Sequence, residues 1–324
     1  MGYVYQSIFA EEFSQYIALL LEADRYVLKV QSTLRSLDRC LIEHSVTQKL
    51  IPEDIVVLWL AEMNVKPTTK FKKLSDARGL AKYLRSLGYT VSLPEPPIVP
   101  NDYVPYIFNE EELNNIFTSA DNFMANSNMN SSAFQFPIVL RVLYGCGLRL
   151  RETLMLEWKN LDVDAGIICI LEAKSNKQRR IPISQSLKAL LIQYRSLATD
   201  FGICNRYIFE NRNNRAEPYT NQTFWYWFSK ILAAAGVKYV RKSPHERGPC
   251  AHCFRHLFTV QSFLKLESEG KSFDEAVPFV SEYLGHHGLM ETEKYLRADY
   301  SLYTESHQRV AEYIGDVFPE VFFE

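Results

Sequence analysis

Apolar and polar positions recur at helical spacing over most of this 324-residue chain. Residues 9–21 are apolar-rich and amphipathic. Val27, Val30, Leu34, Leu37 and Leu41 then fall at steps of three and four, which predicts a second helix. Pro52 suits the first turn of a third helix over 53–63. A fourth runs over 68–87 and stops at Gly88. Residues 1–92 therefore read as all helix. The stretch 92–106, SLPEPPIVPNDYVPY, holds five prolines and no periodicity, which predicts a linker over 93–108 and a domain boundary near 100.

Beyond the linker, Asn109-Glu110-Glu111 can cap a helix over 113–120. An Asn/Ser-rich loop fills 122–132, and 136–144 is apolar and helical. Gly145 and Gly147 precede a helical run over 149–158, with Arg149 at its start. Over 167–183 the period changes. β-branched and apolar residues flank a polar turn at 174–177, the pattern of a β-hairpin. Helices follow over 186–198, over the aromatic-rich 224–235, whose rings read as core, and over 250–264 and 273–284. Gly285 ends the last of these, and a new helical run carries Tyr295. Residues 304–324 are amphipathic and end in VFPEVFFE, an apolar terminus that favours burial against its own domain or a neighbouring protomer. The fold expected is mainly α with a small β-hairpin or sheet, as an N-terminal helical domain followed by a mixed α/β domain.

Bulk composition narrows the class. With 47% hydrophobic and 23% charged residues, the chain reads as a soluble globular protein. No apolar run approaches the ~20 residues of a membrane span, so no membrane association is expected. The N-terminus lacks the basic and apolar regions of a secretory signal. Six scattered cysteines show no disulfide framework, which points to a reducing, cytoplasmic compartment. The net charge of −2 argues weakly against a nucleic-acid partner, yet it hides segregation. Residues 141–215 hold 13 Lys/Arg against 7 Asp/Glu, and 299–324 hold one Arg against six acids. A basic centre with an acidic tail fits one face bound to a polyanion.

The cations gather in separate boxes. Lys66, Lys70, Lys72 and Lys73 surround a helix start, where lysines suit phosphate contact as well as a plain solvated face. Arg149 at a helix N-terminus adds a planar donor fork to backbone N–H groups; the ordinary fate of such an Arg is a surface ion pair. Lys174, Lys177, Arg179 and Arg180 crowd the hairpin turn, and Arg241 and Lys242 lie in a basic loop over 238–249. His252 and Arg255 stand at i and i+3, on one helical face.

In order, GLRLRE, AKSNKQRRIPI, HCFRH and YLGHHGLMETEKY resemble the tyrosine recombinase (phage integrase) family over residues 109–300. Residues 1–92 more loosely resemble the helical core-binding (SAM-like) domain that precedes its catalytic domain. The resemblance implies a site-specific recombinase or integrase with the catalytic set Arg149, Lys174, His252, Arg255, His286 and Tyr295, supported by Glu152. It also implies a 3′-phosphotyrosyl link, a free 5′-hydroxyl, and strand exchange through a four-way junction. The partners would be double-stranded DNA and a homo-tetramer on two duplexes, with helper proteins compatible with such a system. A separate arm-binding domain is not expected, since the helical domain begins almost at residue 1.

The residue types fit that chemistry. Tyr, with an ordinary pKa of about 10, needs neighbouring cations to attack a phosphodiester. Arg149, Arg255 and His286 can hold the non-bridging oxygens as they gain charge. Lys174 can protonate the 5′-oxygen, and His252 can help deprotonate Tyr295 or donate to the phosphate. Glu152 would orient a neighbour. No cofactor is expected, because the phosphotyrosyl bond conserves the energy for religation.

Two departures stand out. His287 follows His286 and rivals it, with the register of LGH favouring His286. Cys250, Cys253, His245 and His256 approach zinc-ligand spacing, although a single CxxC is a weak signal and no metal is assigned. The alternatives are type IB topoisomerase-like cleavage without exchange, a catalytically silent DNA-binding relative, and a zinc-dependent interaction module at 245–256.

Overall fold

Four helices built on the first apolar stripes, α1 (Ala10–Glu22), α2 (Leu28–Glu43), α3 (Glu53–Glu62) and α4 (Pro67–Ser86), make up most of the N-terminal part. The structure is a computed structural model that describes residues 3–23, 25, 27–99, 106–127, 132–171, 178–200, 202, 205–240 and 248–285. It divides into two units, Met1–Asp102 and Tyr103–Glu324, and the division falls within the proline-rich stretch.

In the first unit Phe9, Phe13, Leu34, Leu37, Leu41, Trp59, Leu74, Leu80 and Leu84 pack into one core. The residues 1–92 are not all helix. β1 (Leu50–Ile51) pairs in parallel with β2 (Thr90–Val91), tying the α2–α3 connection to the chain that leaves α4. Two residues per strand are too few to show as a period in the sequence. Asp38, fully buried on α2, accepts the backbone N–H groups of Gln6 and Ser7, each at 3.0 Å, and the hydroxyl of Tyr3 at 3.2 Å. One carboxylate thus pins the chain entering α1.

The second unit is organised around α6 (Phe136–Cys146), in which every residue but Arg141 is buried. A helix apolar all round must be enclosed. α5 (Glu110–Ala125), α8 (Gln185–Asp200) and α10 (Ala251–Ser268) pack against it. Arg141 reaches α5, donating to both carboxylate oxygens of Asp121 at 2.9 and 2.8 Å. On α9 (Asn221–Ala234), Phe224 and Phe228 enter this core, whereas Trp225 and Tyr226 are exposed, so only half of its aromatic face is core.

The run predicted as helix over 149–158 stops early. α7 spans Leu150–Leu154 only, and a 3-10 turn at Trp158–Asn160 leads into β3 (Leu161–Asp162). The loop after α8 captures the chain here. The Ile208 N–H donates to the Leu156 carbonyl at 2.8 Å, and the Trp158 N–H to the Arg206 carbonyl at 3.1 Å. Those backbone groups bond across the fold instead of along a helix. The hairpin strands β4 (Ile167–Ile170) and β5 (Arg179–Pro182) pair antiparallel with Cys169 opposite Arg180, and β3 adds a third strand beside β4. α11 (Phe273–Leu284) packs Ala276, Val277, Val280 and Leu284 against Phe258, Phe263 and Leu266 of α10.

Replacing Asp38 with Ala would leave the N–H groups of Gln6 and of buried Ser7 without their acceptor. The expected loss is about 1–3 kcal/mol of unfolding free energy, read as a lower urea midpoint. An unchanged midpoint would mean that this carboxylate does not hold the segment before α1.

Candidate active site

The end of α11 is where the predicted boxes meet. The last carbonyls of a helix have no partner within it and carry the negative end of its dipole. Here they accept from three arginines on three elements. Arg255 of α10, 1% exposed, donates through Nη1 to the Gly147 carbonyl and through Nη2 to the Leu284 carbonyl, both at 2.8 Å. Arg179 of β5 donates through Nε to the Tyr283 carbonyl at 2.9 Å. Arg149, the N-cap of α7, reaches the Gly285 carbonyl through Nη2 at 3.4 Å.

Glu152 lies among them, 5% exposed. Its carboxylate accepts from Arg149 Nη1 at 2.8 Å, from the Arg149 backbone N–H at 3.0 Å and from Arg179 Nη2 at 2.8 Å. Burial alone would raise this carboxyl's pKa, but the Arg179 guanidinium, and after it Arg149, hold it below the usual carboxylate range. Three guanidinium groups against one carboxylate leave this described cluster two positive charges in excess. That balance suits a phosphodiester anion.

Two box glycines are required by the packing. Gly147 ends α6 at φ 57°, and a Cβ there would stand 2.4 Å from Phe258. Gly285 ends α11 at φ 65°, and a Cβ there would meet Arg179 Nη1 at 2.9 Å. A side chain at Gly147 would push against Phe258 of α10, and one at Gly285 would displace the Arg179 guanidinium, each in a left-handed backbone conformation that favours glycine.

His252 lies in the first turn of α10, half-buried, its ring crossing that of His256 at 4.8 Å. His256 is buried, and burial, helped by His252 and Arg255, pushes its pKa down to about 3, so it is neutral near pH 7.

Lys174, Lys177, Arg241, Lys242, His245, His286, His287, Tyr295 and the tail 304–324 lie outside the described residues. Of the other predicted contacts, Lys66 and Lys72 are exposed around the start of α4, while Lys70 and Lys73 are half-buried there. Arg180 is exposed. Arg179 is placed differently from the outward position expected of a DNA contact: its side chain is 7% exposed and spent on Glu152 and Tyr283. The alternation of a strand carries the signal, since Arg179 and buried Ile181 share one face and Arg180 takes the other. Sequence reasoning also missed the receiving carbonyls of Tyr283, Leu284 and Gly285, which no side-chain motif can show. Among the described residues, the metal-type ligands that gather as a group of three are Cys40, His44 and Glu62, in the first unit; Cys250, Cys253 and His256 form no such group.

The phage integrase family model matches residues 107–301, well over half of the chain. The chain belongs to the phage integrase family. Curated relatives agree. The tyrosine recombinase XerD of Vibrio cholerae is 25% identical over 244 residues, which cover 73% of this chain and 72% of that protein. The tyrosine recombinase XerC of Chlorobaculum parvum is 24% identical over 263 residues, 77% and 75% of the two chains. Among solved structures, a post-cleavage complex of the XerH site-specific recombinase bound to a palindromic difH substrate superposes with a TM-score of 0.65 at 19% identity, covering 89% of this chain and 78% of that one. A lambda integrase tetramer bound to a Holliday junction gives 0.59 at 14% identity, covering 87% and 78%. The mainly helical fold is that of these enzymes. As a member of this family the chain is a site-specific DNA recombinase, in preference to topoisomerase-like cleavage without exchange.

Glu152→Gln would remove the carboxylate that, among the described residues, Arg149 and Arg179 share, and lower stability near pH 7 by about 3 kcal/mol. A folded pKa below the unfolded 4.5 means that this contribution is complete above pH 4.5 and lost as pH falls through the folded value. The gap between wild type and variant in denaturant midpoint should therefore close in acid; a gap independent of pH would exclude the charge as its source.

Proposed function

We propose that the chain cleaves and rejoins DNA through Tyr295, forming a 3′-phosphotyrosyl link and releasing a 5′-hydroxyl. The observation that carries this reading is the convergence of Arg149, Arg179 and Arg255 on residues 283–285, immediately before His286 in the chain. The cluster's excess positive charge suits the place where a phosphate would be held.

In this proposal Arg149, a quarter exposed, holds one non-bridging oxygen directly. Arg255 holds the second. His286 is a third donor. Lys174 protonates the leaving 5′-oxygen, and His252 takes the Tyr295 proton or donates to the phosphate. Glu152 does not react; it keeps the Arg149 fork in position, and Arg179 stands behind both.

The assembly belongs to the same proposal. The helical unit, residues 1–92, would embrace the core site as a core-binding domain, with Lys66, Lys70, Lys72 and Lys73 on the backbone. Residues 93–108 would link it to the catalytic domain, 109–303. Four protomers on two duplexes would exchange strands, the tail 304–324 docking between them, in the cytoplasm on nucleoid DNA. The lambda integrase relative, described as a tetramer on a Holliday junction, supports this stoichiometry.

A suicide-substrate assay tests the chemistry. A nicked duplex from DNA flanking the gene, mixed with wild-type protein in EDTA, should give a covalent protein–DNA band that Tyr295→Phe abolishes. A band that survives Tyr295→Phe would place the nucleophile elsewhere. In the same assay Arg149→Ala should lower the cleavage rate by at least about a hundredfold; a rate within a few-fold of wild type would remove Arg149 from the site.

A further inference from the structure

Two cysteines flank His252 in the turn that carries the candidate machinery. Cys250 is the N-cap of α10 and Cys253 its third residue. The Cys250 backbone N–H donates to Cys253 Sγ at 3.3 Å, and the two sulfurs stand 3.5 Å apart. A disulfide needs about 2.05 Å, so closure asks for roughly 1.5 Å of approach, within reach of side-chain rotation and a small adjustment of the turn.

The pair is chemically unequal. Cys250 is partly exposed at the helix N-terminus. Cys253 is 3% exposed, and its thiol is pushed up by the contact with Cys250 and by burial. One sulfur is placed to attack and the other to resolve. The buried thiols of Cys40 and Cys146 are pushed up to about 11 and about 12, so neither competes as a nucleophile near neutral pH.

We propose that Cys250 and Cys253 are a modification site: a dithiol closed by exchange with a small-molecule disulfide, which silences strand cleavage. The Cys250 thiolate attacks one sulfur of the disulfide, forming a mixed disulfide and expelling one thiolate. Cys253 then attacks the Cys250 sulfur, and the second small thiol leaves with the Cys253 proton. The two cysteines are oxidised and one disulfide is reduced to two thiols. Closure puts His252 inside a four-residue ring and twists the turn leading to Arg255, whose guanidinium is held by two 2.8 Å bonds. The effect on cleavage rests on the tyrosine mechanism proposed above.

The full chain is incubated with oxidised or reduced glutathione, then alkylated, digested and mapped by mass spectrometry, with a parallel cleavage assay. The oxidised wild type should show a Cys250–Cys253 disulfide and cleave about a hundredfold more slowly, as expected for a small misplacement of catalytic groups, with recovery in dithiothreitol. Cys250→Ser and Cys250→Ala should cleave like reduced wild type and resist oxidised glutathione. The proposal is overturned if the peptide map shows both thiols free after oxidation, if the closed form cleaves normally, or if the Cys250 variants lose activity equally on oxidation. Bound zinc that blocks alkylation of both thiols would also overturn it, in favour of a metal site. If reduced wild type gives no covalent band, the tyrosine mechanism fails, while the peptide map still reports on the dithiol.

Discussion

Three guanidinium groups bonded to one helix end set the geometry of the catalytic unit. Carbonyls at the C-terminus of α11 need donors, and Arg149, Arg179 and Arg255 supply them from a helix cap, a strand and a second helix. Guanidinium groups in this proximity repel one another unless a counter-charge lies between them. Glu152 is that charge for two of them, and Arg255 is held by hydrogen bonds to the Gly147 and Leu284 carbonyls. The packing around the cluster follows from the same demand. At Gly147 and Gly285, Phe258 and Arg179 occupy the space a Cβ would need, and α10, which carries Arg255, is one of the helices that enclose α6.

Much of this was legible in the sequence, for a physical reason in each case. Helical periodicity located α1, α2, α4, α6 and α10, because their apolar residues face continuous cores. The period-2 segment located β4 and β5. The motif GLRLRE placed Arg149 at a helix start with Glu152 three residues on, and the structure makes those two residues an ion pair. What escaped was set by partners distant in sequence. The run after Leu154 has helical periodicity, but Ile208 and Arg206 claim the backbone groups at 156 and 158. Arg179 looked like one basic residue among four at a hairpin turn; its inward direction depends on the strand's register against β4 and on the arrival of α11.

The two histidines on α10 show how position divides like residues. His252, in the first turn, is half-buried, while His256, one turn on, is enclosed and neutral. The sequence sets His252 apart by its i, i+3 spacing to Arg255, and the structure adds the difference in burial. Burial separates a half-exposed ring from one enclosed in the core.

The carbonyls that receive the arginines have a consequence for synthesis. Arg149, Arg179 and Arg255 are made well before residues 283–285, and Arg149 must wait 136 positions for its acceptor. Domains form as units while the chain grows from its N-terminus. A truncated or still-growing polypeptide can own every upstream cation and yet lack the helix end on which they assemble. The arginine cluster of this recombinase is thereby complete only once the last described helix is in place.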